Sequence, residues 1–153
     1  MSVNTKIKNG RKRMKTPLFK PQTEWLPPTD FPNLDKYDEI AIDLETKDPN
    51  LNERMGSGSV VGVGDVVGIS LATHDWCAYY PIAHEGGGNM DRKMVLDWFQ
   101  NQMKTDSTKI FHNAMYDVCW LRRLGINIQG QIVDTMIAAS LVDENRFRYD
   151  LNG

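Results

Sequence analysis

The chain has 153 residues, 41% of them hydrophobic, which suffices for one compact α/β domain with a sizeable core and is too short for two. No apolar run approaches the ~18 residues of a membrane span, and the N-terminus is charged, so neither a membrane protein nor a secretion signal is expected. The net charge of −2 hides an asymmetry: residues 1–20 hold seven of the 18 Lys and Arg and no acid, leaving 11 basic residues against all 20 acids on the remainder.

Residues 1–35 are basic and then proline-rich (Pro17, Pro21, Pro27, Pro28, Pro32) and read as an arm or linker preceding a domain over 36–153. Lys6, Lys8, Arg11, Lys12, Arg13 and Lys15 could attract a polyanion to an acidic body, or could form a solvated tail. Ile40–Leu44 has the pattern of a buried strand. The segment 56–64 is rich in Gly and Ser but fits neither G-x-G-x-x-G nor a P-loop, and is expected as a mobile loop. Val66–Ala72 and Trp76–Ile82, separated by Thr73-His74-Asp75, read as a hairpin. Met94, Val95, Trp98, Phe99 and Met103 recur at helical spacing, with Asn89 available as the cap. A strand over Lys109–His112 leads to Asn113, a candidate cap for a helix stopping at Gly125, and a strand at Gln131–Val133 leads to Asp134, a candidate cap for a helix through Val142. Strands followed by alternating strands and helices predict an α/β fold, a mixed sheet with helices packed on it. Cys77 and Cys119 sit among apolar neighbours without metal spacing and are expected as reduced core thiols, with no zinc site.

Two clusters carry chemistry. Asp43 and Glu45 end an apolar strand, and side chains at i and i+2 share a face, so both can grip one cation. Burying like charges together is costly without a partner, and a hard divalent cation with a preference for oxygen supplies one. Alone, Asp-x-Glu is a common pattern. Asn113 and Asp117, four apart, share a helix face near its N-terminus; they could present a further carboxylate, or act only as a cap and a helix-dipole partner.

Together these clusters resemble a family. Ile42-Asp43-Leu44-Glu45-Thr46 is similar to the first motif of the DEDD 3′-5′ exonucleases, and Asn113-Ala114-Met115-Tyr116-Asp117 to the second, N-x-x-x-D. Val67–Leu71, Tyr80-Pro81-Ile82-Ala83-His84, Gly125-Ile126 and Asp134–Ala139 resemble the corresponding segments of the proofreading domain of DNA polymerase I-like, family A polymerases. The resemblance implies an RNase H-like fold with Asp43, Glu45 and Asp117 as metal carboxylates for two ions, Mg²⁺ or Mn²⁺. It places Thr46, Leu51, Asn113 and Tyr116 along a bound single-stranded DNA 3′ end. It also implies an attached polymerase domain and a cytoplasmic setting in a bacterial or phage-infected cell. Asp134, by the same resemblance, is structural.

The family's third motif, Y-x-x-x-D or H-x-x-x-x-D, should follow Tyr149-Asp150-Leu151, and Gly153 is reached without it. The expectation is therefore a domain truncated before its last helices, with three of four carboxylates and weak or no catalysis by this chain alone. The alternatives are an RNase D-like RNA exonuclease, which shares both motifs, and a catalytically inert nucleic-acid or partner-binding module.

Overall fold

The computed structural model describes residues 26–51 and 56–142. The basic run 1–20 and the segment around Tyr149 lie outside the described residues. Five strands form one sheet in the order β3-β2-β1-β4-β5: β1 (Glu39–Lys47), β2 (Asp65–Ala72), β3 (Cys77–Pro81), β4 (Thr108–Phe111) and β5 (Ile132–Asp134). β1 pairs antiparallel with β2 and parallel with β4; β2–β3 is antiparallel and β4–β5 parallel. The expected mixed sheet is thus present, with its first strand at the centre.

Alternation along β1 sets the two faces. Ile40, Ile42 and Leu44 are buried, whereas Asp43 and Glu45 are exposed on the opposite face. The buried face joins a core with Ile69, Leu71, Tyr80 and Phe111 from the other strands. Helix α2 (Arg92–Met103) adds Val95, Phe99 and Met103, and helix α3 (Ala114–Arg123) adds Trp120 and Leu121. Each such side chain contributes about 1.5–3 kcal/mol through its removal from water.

Several local expectations are corrected. Asp91, not Asn89, caps α2: its carboxylate accepts from Met94 N–H at 2.9 Å, the third residue on, and Asn89 stands two residues too early for that bond. The Gly-Ser segment contains a one-turn helix, α1 (Gly58–Val61), capped by Ser57. It is pinned at both ends of Gly58, whose N–H donates to Asp48 Oδ1 at 2.9 Å and whose carbonyl accepts from Arg123 Nη1 at 2.8 Å. The body also reaches into the segment expected as linker: Leu34 is fully buried, Trp98 Nε1–H donates to Pro32 O at 2.8 Å, and Phe31 packs on Tyr80 and Trp98. Cys77 is exposed and Cys119 half-buried, so neither is a core residue; both are free thiols. Cys77 begins β3 on the face opposite the core, which its apolar neighbours in sequence do not reveal.

Helix α3 ends as its glycine suggests. Gly125 takes φ 79°, its N–H donates to Arg122 O, and Ile126 N–H reaches back to Leu121 O, with Ile126 and Leu121 both buried. This is the Schellman arrangement, in which the left-handed residue closes the last carbonyls. The final helix, α4 (Thr135–Val142), has no buried residue and leaves Ile137, Leu141 and Val142 exposed.

Candidate functional site

The site lies where β1 ends above the N-terminus of α3. Asp43 and Glu45 project from the solvent face of β1, opposite Ser70 and Gly68 of β2. Just beyond Glu45 the register slips, with Thr46 opposite Val66, so β2 carries an extra residue there. Such a bulge turns the strand end and re-aims the side chains that follow.

Asp117 rises from the first turn of α3 and is 4% exposed. The backbone N–H of Leu44 hydrogen-bonds its carboxylate, tying helix to strand, while Oδ2 is buried with no partner. Burial, and after it the negative charge of Asp43, push the Asp117 pKa up to about 7. Two carboxylates from distant parts of the sequence therefore meet closely enough for the charge of Asp43 to oppose the ionisation of Asp117.

A second meeting joins Thr46 and Tyr116. Their hydroxyls share a 2.9 Å hydrogen bond, and the Tyr116 hydroxyl donates to Asp48 Oδ2 at 3.0 Å. A phenol has one proton and a carboxylate can only accept, so Thr46 is the donor to Tyr116. Asp48 thus belongs to this corner, holding Tyr116 with one oxygen and α1 with the other. Sequence reading missed it, because an acid just past a strand end carries no periodic signal.

Asn113 occupies the cap position of α3 in the left-handed region, φ 63° and ψ 60°, and its side chain makes no capping bond. The capping role expected of it falls to Asp134, whose carboxylate accepts from Asn113 N–H at 3.0 Å and Ala114 N–H at 2.8 Å, and also from Met136 N–H at 2.9 Å. One carboxylate caps both α3 and α4. Burial raises the Asp134 pKa, but the N–H groups of Ala114, Met136, Asn113 and Ile137 more than offset this and hold it below its ordinary value. Leu51 sits 46% exposed in the turn after β1, with its N–H donating to Asp48 O at 3.3 Å.

Among the described residues, no three Asp, Glu, His or Cys side chains stand close enough together to hold a metal ion. The structure pairs Asp43 with Asp117 and Thr46 with Tyr116, and leaves Asn113 and Leu51 exposed beside them. Alongside Asp43 runs a groove of about 540 Å³ lined by Ala41, Ser70, Ala72, Tyr79 and His112.

Residues 30–152 match the 3′-5′ exonuclease family of the family A DNA polymerases. The chain belongs to this family. It is 32% identical over 146 residues to a DNA-directed DNA polymerase of Pseudomonas phage M6, a match covering 90% of this chain and 22% of the phage protein. It is 29% identical over 114 residues to DNA polymerase I of Borreliella burgdorferi, covering 74% of this chain and 12% of the other. Among solved structures, Brucella melitensis NrnC superposes with a TM-score of 0.52 at 25% identity, over 78% of this chain and 52% of NrnC. The Aedes aegypti Nibbler EXO domain, with a TM-score of 0.50 and 18% identity over 78% of this chain and 56% of the other, shares the fold. This is an exonuclease domain with an RNase H-like mixed sheet, spanning about a fifth of the phage polymerase and about half of the NrnC chain. Among the described residues, no helix is long and apolar enough to cross a membrane.

Proposed function

We propose that this domain hydrolyses phosphodiester bonds at single-stranded DNA 3′ ends, as the proofreading part of a bacterial or phage family A polymerase. The site is assigned to Asp43, Glu45 and Asp117 as carboxylates for Mg²⁺ or Mn²⁺, with Thr46, Asn113, Tyr116 and Leu51 along the substrate. The observation that carries this reading is Asp117, a nearly fully buried acid beside Asp43 with one oxygen unpartnered. A buried carboxylate facing another is destabilising as structure alone, and a hard cation is the chemical partner that both accept. The donor set is all oxygen, which hard cations such as Mg²⁺ and Mn²⁺ prefer. Brucella melitensis NrnC is a structural relative described with bound Mg²⁺.

Within this reading, Asp43, Glu45 and Asp117 would hold divalent cations, which would supply positive charge to activate a water and to steady the departing 3′ oxygen. The chain's own residues prepare that chemistry. Asp43 and Glu45 present carboxylates from a rigid central strand, and Asp117 is fixed to that strand through Leu44 N–H. The Thr46–Tyr116–Asp48 chain of hydrogen bonds holds a phenol ring and a hydroxyl at the corner that a terminal nucleotide would enter. The basic run at residues 1–20 would add affinity for phosphates without base preference.

The polymerase relatives favour DNA over RNA as substrate. The test pairs Mn²⁺ titration, followed by electron paramagnetic resonance, with release of the 3′ nucleotide from labelled single-stranded DNA and RNA of one sequence. Asp43→Ala and Asp117→Ala should each weaken Mn²⁺ binding and remove any turnover while the protein stays folded. Unchanged Mn²⁺ affinity in both variants would remove the metal site. Faster release from RNA would favour an RNA exonuclease, and Mn²⁺-independent binding of nucleic acid without turnover an inert module.

A further inference from the structure

Directly across from Glu45, β2 offers no side chain, because the register partner is Gly68. In an antiparallel pair, Cβ atoms of opposite residues stand ~4.5–5.5 Å apart, so whatever fills the space beyond the Gly68 Cα is an immediate neighbour of Glu45. Tyr79 of β3 fills it. A Cβ added at Gly68 would collide with the Tyr79 hydroxyl and with the adjoining ring carbons Cζ and Cε2. Tyr79 is itself paired with Ser70, so its ring leans along the sheet from the Asp43 level to the Glu45 level.

That lean is held from behind. The Tyr79 hydroxyl hydrogen-bonds His84 Nε2, and the two rings meet edge to face at 5.9 Å and 67°. His84 is in turn clamped by Asn89, whose Oδ1 accepts from His84 N–H at 2.7 Å and whose Nδ2 donates to His84 O at 2.8 Å. The residues between are anchored too: Ile82 and Ala83 N–H both donate to Val67 O, at the bulge beside Gly68.

We propose that Tyr79 is a positioning residue for Glu45, its hydroxyl admitted by the missing side chain at Gly68 and held by His84 so that it orients the Glu45 carboxylate. With the proton on Nε2, His84 would donate to the phenol oxygen, and the phenol O–H would be directed to Glu45. This inference rests on Glu45 being a metal carboxylate. Such outer partners fix ligand orientation, and their loss typically costs about 10–100-fold in metal affinity.

The experiment measures Mn²⁺ affinity of the full chain by electron paramagnetic resonance for wild type, Tyr79→Phe, His84→Ala, His84→Gln, Glu45→Gln and the double variant Tyr79→Phe/Glu45→Gln. Thermal melting confirms folding in each. Tyr79→Phe keeps the ring and removes only the hydroxyl; it and His84→Ala should each lower affinity by about tenfold or more. His84→Gln, which can place an amide nitrogen where Nε2 stands, should restore most of the loss. In the Glu45→Gln background, Tyr79→Phe should cost nothing further, because its effect passes through Glu45. If Glu45→Gln weakens Mn²⁺ binding while Tyr79→Phe stays within about twofold of wild type, the positioning role falls and the metal site stands. Equal losses from Tyr79→Phe in both backgrounds would likewise overturn it. If Asp43→Ala, Asp117→Ala and Glu45→Gln all leave Mn²⁺ affinity unchanged, the metal site falls and takes the positioning role with it.

Discussion

Replacing Asp117 by asparagine should stabilise the metal-free protein, and by an amount that depends on pH. Asp117 is 4% exposed and faces Asp43, and its pKa stands at about 7 instead of its ordinary 3.8. Well below pH 3.8 the carboxyl is protonated in both folded and unfolded chains, so it exerts little pull on stability. Between pH 4 and 7 the unfolded chain gives up the proton that the folded chain retains, and stability falls as pH rises. Above pH 7 the folded protein carries a buried negative charge at a cost of about 4 kcal/mol. The amide in Asp117→Asn would keep the shape and an oxygen for Leu44 N–H while removing that charge. The variant should therefore melt close to wild type near pH 4. Near pH 8 it should melt roughly 10 °C higher, given about 2–4 °C per kcal/mol for a chain of this size. The assay is thermal unfolding across pH 4–8 in a chelator, read as variant minus wild type so that other groups cancel. Saturating Mn²⁺ should then raise the wild-type melting temperature near pH 8 and leave Asp117→Asn nearly unmoved. A difference that is flat with pH, or largest at low pH, would refute the reasoning.

Asp134→Ala should destabilise the domain by about 1–2 kcal/mol above pH 5, because it strands the N–H groups that open both α3 and α4; the difference from wild type should shrink only as pH falls from the ordinary aspartate range through the depressed Asp134 pKa, and chemical denaturation across a pH series from 2 to 7 would show it. Lys109→Ala should cost about 1–3 kcal/mol in the same assay, since this buried side chain donates its ammonium protons to the carbonyls of Thr105 and Gln129 and its loss leaves both without that donor. Removing residues 1–20 should weaken binding of single-stranded DNA and flatten its salt dependence, by roughly 0.7 in the log–log slope for each phosphate that the basic run had neutralised; identical slopes before and after deletion would exclude that run from binding.

The sequence by itself located the five strands, the three longer helices and the family to which the chain belongs. The apolar run Ile40–Leu44 marked a strand, and the i, i+2 spacing of Asp43 and Glu45 placed both on one face, because a strand turns each successive side chain to the other side. Helical spacing in Met94–Met103 and the glycine at 125 located α2 and the end of α3, since both signals are local and set by backbone geometry. Tertiary structure decided everything that joins residues far apart in sequence. Asp134 replaced Asn113 as the cap of α3 because β5 pairs in parallel with β4 and delivers a carboxylate to the same edge as the helix start, 20 residues away. Asp48 entered the site only through Tyr116, which a strand–helix packing brings to it across 68 residues. Asp117 acquired its raised pKa from burial against β1, a property of the packed pair that neither N-x-x-x-D nor D-x-E contains. Local patterns fix which face a side chain takes; only the folded sheet fixes what it meets there.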